Sequence, residues 1–189
     1  MRRILPVILA VILGLPLVSS FAQQKKDSLI LLVSEQNIAG PQHAWWASEI
    51  DLSVTEAGIA RKLMEAGLEV IEPQAVRDII KKEPAFKVVG ISEGESIKLA
   101  GQSKADFIVL GKAVASAGGN VPQSNMISCF ANITAKLIRV KDGKILAYLD
   151  ASGNSAHLDT VTGGKEALTK ASDELAKEIL EALKKEGVK

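Results

Sequence analysis

The stretch from Asn125 to Val140 constrains the fold of this chain more than any other part of its sequence. Apolar side chains occupy every second position, which is the period of a β-strand with one buried face. They are Ile127, Cys129, Ala131, Ile133, Ala135 and Leu137. Asp142-Gly143, a strong hairpin signal, follows directly, and the alternation resumes from Ile145 to Ala151. The stretch therefore predicts two antiparallel strands that bury the same face.

Upstream, apolar runs are separated by segments with helical periodicity. The runs at 29–33 and 107–110 predict strands buried on both faces, and 68–71 predicts a short third strand. Helices are predicted over 49–67, from Pro73 onward, over 92–101 and over 165–185. The predicted fold is of the α/β (α+β) class: one domain with a mixed sheet of about five strands, in the order β-α-β-α-α-β-β-β-α, with helices packed on the sheet.

Two of these helices show a clear apolar stripe, which we expect to face the sheet. In the first helix the stripe is Val54, Ala57, Ala60, Leu63 and Met64. In the last it is Leu168, Ala171, Leu175, Ile179 and Leu183.

The first 22 residues have the organisation of a bacterial secretory signal peptide. Arg2 and Arg3 form a positive head, 4–18 is largely apolar, and Ser20 and Ala22 are small residues where a signal peptidase reads the chain. We expect cleavage after Ala22, a flexible lead-in at 23–27, one domain over 28–189 and a location in the periplasm. The apolar run is shorter than a membrane span and contains proline, so no stable span is expected after cleavage. No cysteine follows the expected cleavage site, which argues against a lipoprotein.

The charge balance argues against a nucleic-acid partner. The full chain carries a net charge of +1, and removal of the signal takes away two arginines and no acid, which leaves −1. Nucleic-acid binding draws on a marked basic excess, and this chain has none.

A search for catalytic groups finds few candidates. His43 and His157 are the two histidines, and Asp159 lies two residues after the second. A periplasmic hydrolase built on these three is the weakest of our hypotheses, since none has a second ligand or base at a productive spacing. We expect a protein that is not an enzyme, with no cofactor and no metal.

Two further features are interpreted as structural. Cys129 alternates onto the apolar face of its strand and is expected to be a small buried side chain, not a nucleophile. The segment 160–165, Thr-Val-Thr-Gly-Gly-Lys, is similar to a phosphate cradle before a helix but lacks the spacing of a phosphate-binding loop. We expect Thr162 or Gly163 to cap the last helix.

The candidate partner-binding residues lie in two predicted loops. Trp45 and Trp46 are the only tryptophans, in a loop over 36–48, and tryptophan is enriched at interface hot spots. Gly118, Gly119 and Asn120 lie in a predicted polar hairpin loop over 117–125.

Several motifs resemble those of a known group of bacterial envelope proteins. The motifs are Leu68-Glu69-Val70-Ile71-Glu72, Ala75-Val76-Arg77-Asp78-Ile79-Ile80, Ala105-Asp106-Phe107-Ile108-Val109-Leu110-Gly111, Ile133-Thr134-Ala135-Lys136-Leu137-Ile138 and Lys141-Asp142-Gly143-Lys144-Ile145. The group comprises the amino-terminal domain of TolB, CsgG, the lipoprotein activators of penicillin-binding proteins and the middle domain of FlgT. The resemblance covers roughly Leu29 to Leu183.

This resemblance implies a non-enzymatic protein-interaction or envelope-assembly module. It implies an envelope or periplasmic protein as partner, and a homo-oligomer is possible. A small-ligand carrier that uses the end of the sheet as a pocket stays open as an alternative.

Overall fold

A computed structural model describes residues 26–38, 40–43, 53–71 and 93–188. The strands are β1 (Ser28–Asn37), β2 (Gly40–His43), β3 (Glu69–Ile71), β4 (Phe107–Asn120), β5 (Ile127–Arg139) and β6 (Lys144–His157). The helices are α1 (Val54–Glu65), α2 (Glu93–Gln102) and α3 (Thr160–Lys185). The signal segment and the helix predicted from Pro73 lie outside the described residues.

The strands form one mixed sheet in the order β2-β1-β4-β5-β6, and β3 also pairs with β1. β3 runs parallel to the start of β1, at 28–30, and β2 runs antiparallel to its end, at 35–37. The six strands therefore occupy five positions, and the prediction of a mixed sheet of about five strands covered by helices is confirmed. β2 is a correction, because its residues were predicted to lie in a loop.

The sheet separates two hydrophobic clusters. The larger one contains the side chains of α1 and α3 that face the sheet, together with Leu29, Leu31 and Val33 of β1. The smaller one contains Ile30 and Leu32 of β1 with Ala100 of α2. Successive residues of β1 thus enter opposite clusters, which confirms a central strand buried on both faces.

The apolar stripe of α3 is confirmed, since all five of its predicted residues are buried. The stripe predicted for α1 is wrong in part. Leu63 is buried, but Met64 is 61% exposed, and Gly58 and Ile59 face inward instead. A Cβ on Gly58 would lie 3.0 Å from Cβ of Ser172 on α3, so α1 places a residue without a side chain against its neighbour helix. The contact with α3 therefore sets the rotation of α1 about its axis.

Helix α3 begins five residues earlier than predicted. Its N-cap is Asp159, whose Oδ2 accepts hydrogen bonds from the backbone N–H of Thr162 at 2.7 Å and from its Oγ1 at 2.6 Å. Thr162 and Gly163 are consequently inside the helix, and the expectation that one of them caps it is wrong. Among the described residues no helix is long and apolar enough to cross a membrane.

The β5–β6 hairpin turns at Asp142-Gly143, as predicted, and Gly143 has a φ of 68°. A register shift between Leu137 and Ile138 places Ile145 on the face opposite Ala147, so the prediction that Ile145 shares the buried face of Ala147 and Leu149 is wrong.

Candidate functional site

One face of β4, β5 and β6 is open over much of its length. In β5 the odd-numbered residues from Cys129 to Leu137 are buried, and even-numbered residues point to the other side, where Phe130, Asn132 and Thr134 are exposed. β6 follows the same rule, with Leu149 and Ala151 buried. Its outward residues Tyr148, Asp150, Ser152, Asn154 and Ala156 are all exposed. We call this surface the open face.

Phe130 is held on the open face by a glycine on the neighbouring strand. Its ring is 46% exposed, and a Cβ added to Gly118 would lie 2.5 Å from Cε2 of that ring. A side chain at this position would displace the ring, so the glycine allows the present arrangement, in which an aromatic residue covers a strand glycine. Gly118 thus has a role that the sequence did not reveal.

Tyr148 lies at the other end of the open face and is 73% exposed. Lys136 is its register partner on β5, and its Nζ lies 5.5 Å from the centre of the Tyr148 ring. This is within the range of a cation–π contact. The contact orients the ring but leaves most of it in solvent.

Two shallow depressions follow one another along the open face. The first, of about 510 Å³, is lined by residues that include Lys112, Thr134, Tyr148 and Asp150. The second, of about 430 Å³, is lined by Phe130, Asn132, Ser152 and Asn154 among others. Both open on the same side of the sheet. Together they make a track along the open face.

A second exposed surface is the hairpin end, which we define as residues 118–128 with Leu158. The strand pair Ile127–His157 closes the β5–β6 ladder there, and the next residues outward are Met126 and Leu158. They are 42% and 67% exposed. The turn is held by hydrogen bonds from the N–H of Val121 to the carbonyl of Met126, at 2.9 Å, and from the N–H of Met126 to Oγ of Ser124, at 3.1 Å.

The predicted partner-binding residues of the hairpin are exposed, but they lie in a different element. Gly118, Gly119 and Asn120 belong to β4, and a register shift between Ala117 and Asn120 bulges the strand there. Placing them in a loop was wrong, because β4 continues past the point where β1 stops. Met126, Phe130, Tyr148 and Leu158 were missed, although strand alternation alone assigns Phe130 and Tyr148 to the outward face. Trp45 and Trp46 lie outside the described residues.

The residues of the hydrolase hypothesis do not converge. His43 is on β2 and His157 is on β6, the two opposite edges of the sheet. Four strand spacings of about 4.8 Å lie between these edges, a distance of roughly 19 Å. Nδ1 of His157 accepts the N–H of Asp159 at 3.0 Å, and the Asp159 carboxylate is engaged by Thr162, which lowers its pKa. The described part of the chain contains no group of three potential metal ligands. The three side chains thus do not form a shared catalytic site.

Cys129 and the glycine-rich segment are structural. Cys129 is buried, and burial raises the pKa of its thiol, which disfavours the reactive thiolate. A Cβ on Gly163 would lie 2.6 Å from Sγ of Cys129, and one on Gly164 would overlap Oδ1 of the buried Asn37. The two glycines let the first turn of α3 pack on β1 and β5, and Asp159 occupies the position that an anion would take. The similarity to a phosphate cradle therefore has a packing explanation.

The comparisons with known proteins give only distant likenesses. No protein-family model matches the sequence, and no curated protein sequence is significantly similar to it. The fold is similar to that of the lipoprotein GNA1162 from Neisseria meningitidis, at a TM-score of 0.44 and 15% identity, over 86% of this chain and 97% of that one. It is similar to the LpoB C-terminal domain from Salmonella enterica, at 0.39 and 15%, over 73% and 88%. For TolB from Acinetobacter baumannii the values are 0.39 and 10%, over 84% of this chain and 28% of that one. Likenesses this distant extend to the fold alone.

Proposed function

We propose that the protein is a non-enzymatic protein-interaction or assembly module of the bacterial envelope, exported to the periplasm by residues 1–22. The observation that supports this most is the exposed apolar pair Met126 and Leu158 at the hairpin end. When a partner covers methionine and large aliphatic side chains that are otherwise in solvent, the complex is stabilised by about 25 cal/mol for each Å² buried.

The hairpin end has the rigidity that a recognition surface needs. Met126 is tied to the strand ladder through the pair Ile127–His157, and Leu158 precedes the N-cap of α3. Because the backbone at both residues adjoins regular elements, little backbone entropy is lost when a partner docks. The exposed polar residues of 118–125 supply a hydrated rim around them.

The experiment is site-specific photo-crosslinking in cells, with the probe at Leu158 or, as a matched control, at Met64. Both positions are similarly exposed, but Met64 lies on α1, away from the hairpin end. We expect one discrete adduct with an envelope protein from Leu158 and none from Met64. The adduct should carry residues 23–189 and appear in the periplasmic fraction.

The purified partner then tests the contact itself. M126S/L158S should weaken binding about tenfold or more, as expected for the loss of central apolar anchors, while M64S should leave the affinity unchanged. W45A/W46A tests the predicted second contact in the same assay. Equal adducts from both probe positions, or an unchanged affinity of M126S/L158S, would reject the hairpin end as the docking site.

A further inference from the structure

We propose that the open face is a second binding site, which takes a linear neutral glycan of the amino-sugar type found in the bacterial cell wall. This site goes beyond the proposed protein-binding function and rests only on the envelope location assumed there. Its basis is the row of aromatic and hydrogen-bonding side chains between Phe130 and Tyr148, which is uncharged in the half near Phe130.

The spacing of the two rings suits a chain-like ligand. Tyr148 pairs with Lys136, and Phe130 is six residues away from Lys136 along β5. At about 3.4 Å per residue the rings are roughly 20 Å apart along the strands. The two depressions fill the interval between them, so the open face offers a continuous track with an aromatic residue near each end.

The side chains along this track match the chemistry of a sugar. On the open face, β5 contributes Asn132 and Thr134, and β6 contributes Ser152 and Asn154. All four are exposed. Amide and hydroxyl groups both donate and accept, as the hydroxyl and acetamido groups of an amino sugar require. An exposed aromatic ring has an apolar face that packs against the C–H face of a sugar ring, while a ring edge tolerates water.

Charge separates this ligand from other polymers. The half of the track near Phe130, with Asn132, Ser152 and Asn154, carries no charge. The half near Tyr148 carries charges of both signs, Lys112, Lys136 and Asp150. A polyanion would require a row of basic residues along its length, as nucleic acids do. A peptide that adds as a strand would need unpaired backbone groups, whereas an open sheet face presents only side chains. A neutral polyol can follow both halves, because the amide and hydroxyl groups of one and the ammonium and carboxylate groups of the other all hydrogen-bond to hydroxyls.

The experiment is an NMR titration of the ¹⁵N-labelled mature chain, 23–189, with chitotetraose, a neutral tetramer of N-acetylglucosamine. We expect shifts at the amides of β5 and β6 near Phe130, Asn132 and Tyr148. F130A, N132A and Y148A should each bind about tenfold more weakly, because each removes a contact from the centre or end of the track. M64A, which shortens an equally exposed side chain on α1, should bind like the parent protein.

Sedimentation with purified cell-wall sacculi tests the same site on the polymer. Y148A and F130A should stay in the supernatant under conditions that sediment the parent protein. M126S/L158S should still sediment, which separates this proposal from the protein-binding function. No shifts on the open face at millimolar chitotetraose, equal affinity of Y148A and parent, or binding of dextran sulfate in place of chitotetraose would each overturn the proposal.

Discussion

Two buried carboxylates, Glu35 on β1 and Glu56 on α1, each satisfy a backbone N–H of the other's element. Oε2 of Glu35 accepts from the N–H of Thr55 at 2.8 Å, and Oε1 of Glu56 accepts from the N–H of Val33 at 3.0 Å. Val33 lies between the parts of β1 that pair with β3 and with β2. The Glu56 side chain therefore takes the place of a strand at a gap in the sheet edge.

This arrangement makes the stability of the protein depend on pH. Burial, reinforced by the charge of Glu35, raises the pKa of Glu56 to about 7 from an ordinary value of 4.5, against the effect of the backbone hydrogen bonds from Val33 and Ser53. Below pH 4.5 the carboxyl is neutral in both the folded and the unfolded state. Between pH 4.5 and 7 the unfolded state loses its proton first, so the free energy of unfolding falls as pH rises, by roughly 3 kcal/mol at most.

Glu56→Gln tests this at residue scale. Glutamine keeps an acceptor for the N–H of Val33 but does not ionise, so the variant should gain stability relative to the parent between pH 5 and pH 8, by about 2–3 kcal/mol. Urea unfolding at the two pH values measures the difference. Glu65→Gln, an exposed carboxylate on the same helix, is the control. A pH dependence that is the same for E56Q and parent would contradict the assignment.

At the scale of elements, the packing of α3 on the sheet depends on glycines that permit close approach of backbone to backbone. A Cβ at Gly153 of β6 would overlap the carbonyl oxygen of Ala167 and lie 2.7 Å from the backbone N of Ala171. Backbone atoms cannot turn aside as a flexible side chain can. The helix therefore sits as close to β6 as it does only because position 153 has no side chain.

Gly153→Ala should consequently be destabilising. The helix has to move away from β6, and overpacking of this kind costs typically 1–3 kcal/mol, with a rigid backbone contact at the upper end, about 3 kcal/mol. Gly119→Ala is the matched control, since a Cβ there meets nothing within 4 Å. Thermal unfolding should show a lowered Tm for G153A and an almost unchanged one for G119A. Equal Tm values for the two variants would mean that α3 can accommodate a Cβ at position 153 without loss of stability.

At the scale of the molecule, β6 forms one outer edge of the sheet, and α3 covers part of that edge. Nζ of Lys170 donates to the carbonyl of Asn154 at 2.7 Å, and Oε2 of Glu178 accepts from the N–H of Asp150 at 3.3 Å. Both backbone groups point away from β5, where a further strand would pair. Side chains that occupy such groups protect an edge from pairing with another chain.

K170A/E178A should therefore associate with itself through β6. We expect a sedimentation coefficient that rises with protein concentration in analytical ultracentrifugation, above that of the parent protein. E174A/K177A removes the neighbouring ion pair on α3, 2.9 Å long, without touching the edge, and should sediment like the parent. If both double variants sediment alike, the two side chains do not guard the edge.

The sequence by itself determined the strands β5 and β6, their hairpin turn, the stripe of α3 and the buried faces of both strands except at Ile145. These features come from local periodicity, and each is read from neighbours within a few residues along the chain. The same alternation predicts the open face, since the residues between the buried ones must point to the other side of the sheet.

Only the tertiary structure decided the rotation of α1, the extra strand β2, the early start of α3 and the reciprocal hydrogen bonds of Glu35 and Glu56. The rotation of α1 depends on residues far apart in sequence, Gly58 and Ser172, whose distance no local pattern encodes. β2 and the start of α3 rest on shorter contacts, Asn37 with Gly40 and Asp159 with Thr162, which the periodicity of apolar residues does not report. An acidic residue in a first helical turn is ordinarily interpreted as an exposed partner of the helix dipole. Glu56 is buried instead and accepts the N–H that Val33 presents at the gap between β2 and β3.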